Sequence, residues 1–242
     1  MKKLFKLLSI GALTLSAFGS IAQERDWEWE NDRDDHWQRN QREHRYEKPQ
    51  SMFSKKDFGL ILALNSFDAA IDMPELNTWQ SRYVALQWRR NHRLITGRQV
   101  DVALGTGLEI AWNNFMMKYD EQYFEAGDIS DFELVSEPFE KSKLVNNMVN
   151  LPVMLQFGFK ESNFRFGVGG YAGVRINSYQ KFQDAAGKFK EKGEYNLRRF
   201  NYGVMAEAGR GDMRLFAKYD MLPLFNDNNP INANVLTVGL RL

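Results

Sequence analysis

Residues 234–242 read N-V-L-T-V-G-L-R-L, with Leu236, Val238, Leu240 and Leu242 on one face and Val235, Thr237, Gly239 and Arg241 on the other. This period of two is that of a β-strand with a single apolar side. The same alternation recurs upstream. Residues 57–66 align Phe58, Leu60, Leu62 and Leu64, and residues 82–90 align Val84, Leu86 and Trp88. Residues 99–113 set Val100, Val102, Leu104, Leu108, Ile110 and Trp112 against Asp101, Ala103, Gly105, Gly107, Glu109 and Ala111. Residues 147–159, 164–178, 198–210 and 213–225 repeat the pattern. Eight strands with one lipid-compatible face and one small or charged face predict an all-β fold, an eight-stranded antiparallel transmembrane β-barrel.

The cost of charge in lipid tests this register. A basic side chain on the lipid face costs about 2–4 kcal/mol at the midplane and near zero at the interfaces. The outward basic residues are Arg82, Arg90, Arg198 and Arg210, all at strand ends, where long side chains reach the headgroups. A slip of one residue would instead turn Asp101 and Glu109, Arg175, or Lys218 toward lipid. Connection lengths agree: short links at 91–98, 160–163 and 211–212 alternate with long ones at 67–81, 114–146, 179–197 and 226–233. That alternation matches periplasmic turns and external loops, and an even strand count puts both termini in the periplasm. On this register Val204→Arg is expected to impair insertion, and Met205→Arg, facing a charged lumen, to be tolerated better.

The N-terminus points to the same compartment. Lys2, Lys3 and Lys6 precede an apolar stretch over residues 7–18, and Ser20, Ile21 and Ala22 form a cleavage signature, so residues 1–22 read as a signal peptide. The stretch falls short of the ~20 apolar residues of a membrane-crossing helix. Without cysteine there is no lipoprotein attachment site, disulfide framework or thiolate metal site. The 242 residues carry a formal charge of +1 and a mean hydropathy of −0.51. A barrel fits this average because only alternate residues face lipid, and near-neutral charge argues against a nucleic-acid partner.

Residues 23–52 form a charged periplasmic tail ahead of a barrel over 53–242. The tail is dense in Asp, Glu, Arg, Asn and Gln and nearly free of aliphatic residues, so it is expected to be disordered. Trp27, Trp29 and Trp37 within it are candidate anchors for a periplasmic or envelope protein partner; a solvated spacer is the alternative.

Taken together, VNLPVMLQF (149–157), FGVGGYAG (166–173), RRFNYGVMAEAG (198–209) and KYDMLPLFND (218–227) resemble the PorT-like outer-membrane β-barrel family of Bacteroidota. The resemblance covers the barrel and implies, for some members, a part in protein secretion or gliding machinery. Leu242 departs from the terminal aromatic residue usual in proteobacterial barrels. Pro152 lacks a ladder donor, and a local bulge is the expected accommodation.

The search for chemistry yields no catalytic, cofactor or metal site. His36 and His44 lie in the tail without ligand spacing or a rigid frame. Ser81 and His92 fall at opposite ends of one strand, ~30 Å apart by strand geometry, too far to share a proton. No helix start follows Gly167–Gly170, so they are no phosphate loop. Asp101, Glu109, Arg165, Arg175, Arg199, Glu207, Arg214 and Lys218 all fall on the inner face. An eight-stranded bore is just wide enough for side chains to fill, so these charges are expected to form a buried ion-pair network; a transport path is the alternative. The resulting expectation is a non-enzymatic scaffold or interaction protein of the outer membrane. Its alternatives are a secretion or envelope-assembly component, a lipid-modifying enzyme or a narrow pore.

Overall fold

The computed structural model describes residues 50–118, 122–124, 129–134, 140–184 and 187–242. The signal peptide and nearly all of the tail, with Trp27, Trp29, Trp37, His36 and His44, lie outside them. The described chain folds as strands β1 (Lys56–Ile71), β2 (Arg82–Thr96), β3 (Val100–Met116), β4 (Gln122–Phe124), β5 (Phe132–Leu134), β6 (Lys141–Phe159), β7 (Phe164–Asp184), β8 (Gly187–Lys192), β9 (Phe200–Arg210), β10 (Met213–Asp220) and β11 (Asn232–Arg241). Nine form one antiparallel sheet in the order β6-β3-β2-β1-β11-β10-β9-β7-β8, and β4 pairs only with β5.

Strand β6 also pairs with β7, from Lys141↔Gln183 down to Phe159↔Phe164, so the pairings of eight strands return to their start. The expectation of eight strands is therefore corrected to nine in the sheet. The extra strand, β8, folds back on β7 beyond this circuit, pairing Tyr179↔Lys192 through Asp184↔Gly187 within what the sequence reads as a loop. Several strands also outrun their sequence-based limits: β2 reaches Thr96, β6 begins at Lys141 and β7 continues to Asp184, whereas β10 stops at Asp220. Pairing with a neighbour prolongs the first three past the end of the apolar alternation. Short turns at 97–99, 160–163 and 211–212 define one end, and the long connections gather at the other.

Pro152 causes no bulge. It pairs in register with Tyr171 on β7. Toward β3 the pairing stops at Thr106↔Val153 and resumes in the same register at Glu109↔Asn150, so the residue without an amide hydrogen loses ladder bonds and keeps alignment. The bulge lies at Ile176, where Asn147↔Asn177 is followed by Met148↔Arg175. It reverses the parity of the rest of β7, so Asn177, which unbroken alternation from Arg175 would turn inward, is exposed and Ser178 and Gln180 are buried.

The two faces separate as alternation requires. Outside, Leu62, Leu86, Leu108, Leu151, Val168, Val204, Leu215 and Val238 form an exposed apolar belt. Aromatic residues flank it: Phe58, Trp88 and Phe159 toward the turns, and Trp112, Phe200 and Tyr202 toward the loops. An apolar surface of this extent suits lipid rather than water. Arg82, Arg90 and Arg210 are exposed at its margins, while Arg198 is held by the Pro223 carbonyl and Asp227.

Inside, Ile61, Ala63, Tyr83, Ala85, Ala111, Met154, Tyr171, Met205 and Phe216 pack as one cluster. Met205 thus packs in this apolar cluster with the buried Lys218 as its cross-strand partner, so an arginine there would meet both apolar side chains and a like charge. At the neighbouring outward position, Val204→Arg is expected to destabilise the inserted protein by about 2–4 kcal/mol if it lies near the midplane. Val204→Leu should be neutral. Urea unfolding in lipid vesicles, followed by heat-modifiable mobility, measures both.

Candidate functional site

The bore is layered along its axis. At the turn end the chain before β1 folds over the opening: the Met52 amide donates to Asp101 Oδ2 at 2.6 Å, and Arg93 donates through Nε and Nη2 to the Phe53 carbonyl at 3.1 and 3.0 Å. Asn91 Nδ2 donates to the Ser54 carbonyl at 2.9 Å. Phe53 is buried, with the Arg165 guanidinium 5.8 Å from its ring centre. Met52, assigned by sequence to the tail, thus belongs to the stopper of the barrel.

Above the stopper lie three arginines and two carboxylates. Arg89 Nη2 is 3.0 Å from Glu207 Oε1 and 3.3 Å from Asp57 Oδ2. Arg214 Nη1 reaches Glu207 Oε1 at 2.8 Å, and Arg241 Nη2 reaches Asp57 Oδ2 at 2.8 Å. Arg241 fits because Gly59 has no side chain: a Cβ there would stand 2.6 Å from the guanidinium carbon. Gln87 carries the network upward, accepting from Arg241 Nε at 3.0 Å and donating to Glu109 Oε2 at 2.8 Å.

Glu109 is enclosed by donors. Tyr83 Oη lies at 2.6 Å and Asn150 Nδ2 at 2.8 Å, with Lys218 Nζ 3.9 Å away. Lys218 also sits 4.0 Å from the Tyr171 ring centre, and the Tyr171 hydroxyl donates to Asp220. Asn201 Nδ2 completes Asp220 at 2.6 Å. Four basic side chains, Arg89, Arg214, Arg241 and Lys218, thereby face four carboxyls, Asp57, Glu109, Glu207 and Asp220, and their formal charges cancel. Above them Phe115, Met117, Leu144, Tyr195, Leu197, Leu224, Phe225, Ile231 and Val235 form an apolar lid under the long loops.

The residues singled out by sequence divide among these layers. Glu109, Glu207, Arg214 and Lys218 belong to the central network. Asp101 lies in the stopper, with Lys160 Nζ 3.1 Å away, and Arg165 stands beside it, half-buried. Arg175 lies at the loop end, donating to the Leu197 carbonyl at 3.0 Å and to Ser178 Oγ at 2.8 Å. Arg199 is exposed there, which corrects its inward assignment, because β9 begins one residue later and alternation has no hold on it. Asp57, Arg89, Arg241 and Asp220 were missing from the set, although their parity opposite Phe58, Trp88, Leu240 and Tyr219 marks them inward. Ser81 and His92 do not meet: Ser81 is buried against Met116, and His92 is exposed beside Thr106. Among the described residues no group of three or more His, Asp or Glu side chains is placed to hold a metal.

These features define a closed antiparallel β-barrel class with a filled, charge-balanced bore. The chain belongs to the outer membrane protein beta-barrel domain family, which matches residues 87–225. Similar solved structures include Ail, the attachment invasion locus protein of Yersinia pestis, at 12% identity and a TM-score of 0.34 over 77% of this chain and 97% of that one. A second Ail structure, in complex with the heparin analogue sucrose octasulfate, gives 12% identity and a TM-score of 0.35 over the same shares. No curated protein matches the chain.

Removing one member of a buried ion network strands its partners in low dielectric, at a cost of about 3–5 kcal/mol. Glu207→Gln leaves three guanidiniums around Asp57 and is expected to lose about that much. Gln87→Leu, which cuts the link to Glu109, should lose about 1–3 kcal/mol. Urea unfolding of the vesicle-inserted protein is the measurement for both.

Proposed function

We propose that this outer-membrane protein is a non-conducting, non-enzymatic platform. In this reading residues 1–22 direct export and are removed, the eight-strand circuit crosses the bilayer, and the long connections face outward. Both termini and the charged tail that precedes the stopper then lie in the periplasm. The observation that carries the reading is the blocked bore: stopper, cancelled charges and apolar lid follow one another along the axis, and an eight-stranded wall leaves no bypass around them. Such a molecule acts through its surfaces.

The PorT-like resemblance favours a narrower form of the same reading, a component of a secretion or envelope assembly. There Trp27, Trp29 and Trp37 would anchor a periplasmic partner. Affinity purification from detergent-solubilised membranes, with and without residues 23–50, tests this: a stable partner lost with the tail supports it.

Reconstituted protein is expected to give no stable conductance steps in planar bilayers. Steady ion-selective currents altered by Glu207→Gln would establish a pore instead. Orientation has a clean probe because the chain lacks cysteine. Trp79→Cys, at a loop position 82% exposed, should react with an impermeant maleimide on intact cells, and Glu161→Cys, at a turn, only after the outer membrane is permeabilised. The reverse pattern would overturn the orientation.

A further inference from the structure

The outer wall carries a second concentration of charge, unlike the one inside. At the loop ends of β2, β3, β6 and β7 a groove of about 710 Å³ is lined by Arg82, Lys141, Lys143, Lys181 and Lys188. Its apolar lining comes from Val84, Met116, Phe182 and Phe189, with the Phe182 and Phe189 rings stacked 5.4 Å between centres.

Three observations bear on what this groove holds. Lys143 and Lys181 are direct cross-strand partners, a like-charge arrangement that destabilises a sheet unless a counter-charge is supplied. Among the described residues no carboxylate lines the groove and none of the five cations makes an ion pair; Glu140 accepts a hydrogen bond from Gln183, which lines the groove. The floor is continuous with the outer apolar belt, since Val84 precedes Leu86 on the outward face of β2 and Met116 follows Trp112 and Asn114 on that of β3. The groove therefore sits where acyl chains give way to headgroups, and it offers apolar surface below and unneutralised cations above.

We propose that this groove binds the phosphorylated head group of an outer-leaflet glycolipid, with phosphate on the Lys143–Lys181 pair and the first acyl segments on Val84 and Met116. Long lysine stems suit the position, lying along apolar surface while the ammonium groups reach the phosphate. The choice of leaflet rests on the outward orientation of the loops proposed above.

The test titrates folded, detergent-solubilised protein with a fluorescent bis-phosphorylated lipid A, its dephosphorylated form, phosphatidylcholine, and inorganic pyrophosphate as competitor. Wild type is expected to bind the phosphorylated lipid saturably and both other lipids weakly. The double variant Lys143→Gln with Lys181→Gln should bind about thirtyfold more weakly, the equivalent of ~1 kcal/mol for each charge removed near a membrane surface. Lys143→Gln alone should raise the unfolding temperature in lipid-free detergent, by relieving the opposed pair, and lose the stabilisation that the lipid gives wild type. Equal affinity of wild type and double variant overturns the proposal, as does full competition by pyrophosphate, which would mark a free-phosphate site. Detergent binding is blind to sidedness, so the site and the orientation fail separately: weak binding with outward-labelled Trp79→Cys rejects only the site, and strong binding with inverted labelling rejects only the leaflet.

Discussion

A strand bordered by hydrocarbon has no water to satisfy its amide and carbonyl groups, so every ladder must find a protein partner. In this protein the pairing of β6 with β7 meets that demand by joining the two flanks of the sheet. Everything else depends on that closure. It turns alternate residues into a wall and a bore, aligns the first strand with the last through pairs such as Leu62↔Leu240, and fixes which inward side chains meet across the interior.

The bore so created is narrow, and its contents follow from its width. Ionised groups enter it only if their partners enter too, because an unpaired buried charge costs several kcal/mol. The network answers with carboxylates shared among several cations: Glu207 receives Arg89 and Arg214, while Asp57 receives Arg241 and Arg89. Amides and phenols then connect these groups to Glu109 and Asp220. Polar satisfaction on this scale also selects one register, since sliding any strand would separate partners drawn from eight different strands. The buried Phe53 of the stopper and the buried cluster around Phe115 lie at the two ends of the network.

The wall shows the opposite economy of charge. In the central network each cation has a carboxylate nearby; outside, at the loop ends of β2, β3, β6 and β7, Lys143 faces Lys181 and among the described residues no carboxylate lines the groove between them. The difference follows from the solvent on each side. Charges buried in the bore must neutralise one another, whereas in the proposed reading the groove takes its counter-charge from a lipid phosphate.

Alternation in the sequence was enough to assign faces, because the side-chain period of a strand is two regardless of what surrounds it. Hence the outward row of Leu236, Val238 and Leu240 and the inward Glu109, Glu207, Arg214 and Lys218 were legible directly, and the parity of Arg89 and Arg241 marks them as well. Local pattern failed where local rules stop: Arg199 lies outside β9, the bulge at Ile176 reverses the parity that had placed Asn177 inward, and β8 pairs within a stretch lacking apolar alternation. Partnership was beyond the sequence altogether. Arg241 meets Asp57 across 184 residues and Arg89 meets Glu207 across 118, and the groove brings Arg82 near Lys143 and Lys181. Which inward residue faces which depends on the registers of all the intervening ladders, and those become fixed together only when the sheet closes. Within the regular strands the sequence by itself determined which side of the wall a residue occupies; the tertiary structure decided where that alternation breaks and which residues become neighbours, because distance across a closed barrel is a property of the whole circuit of strands.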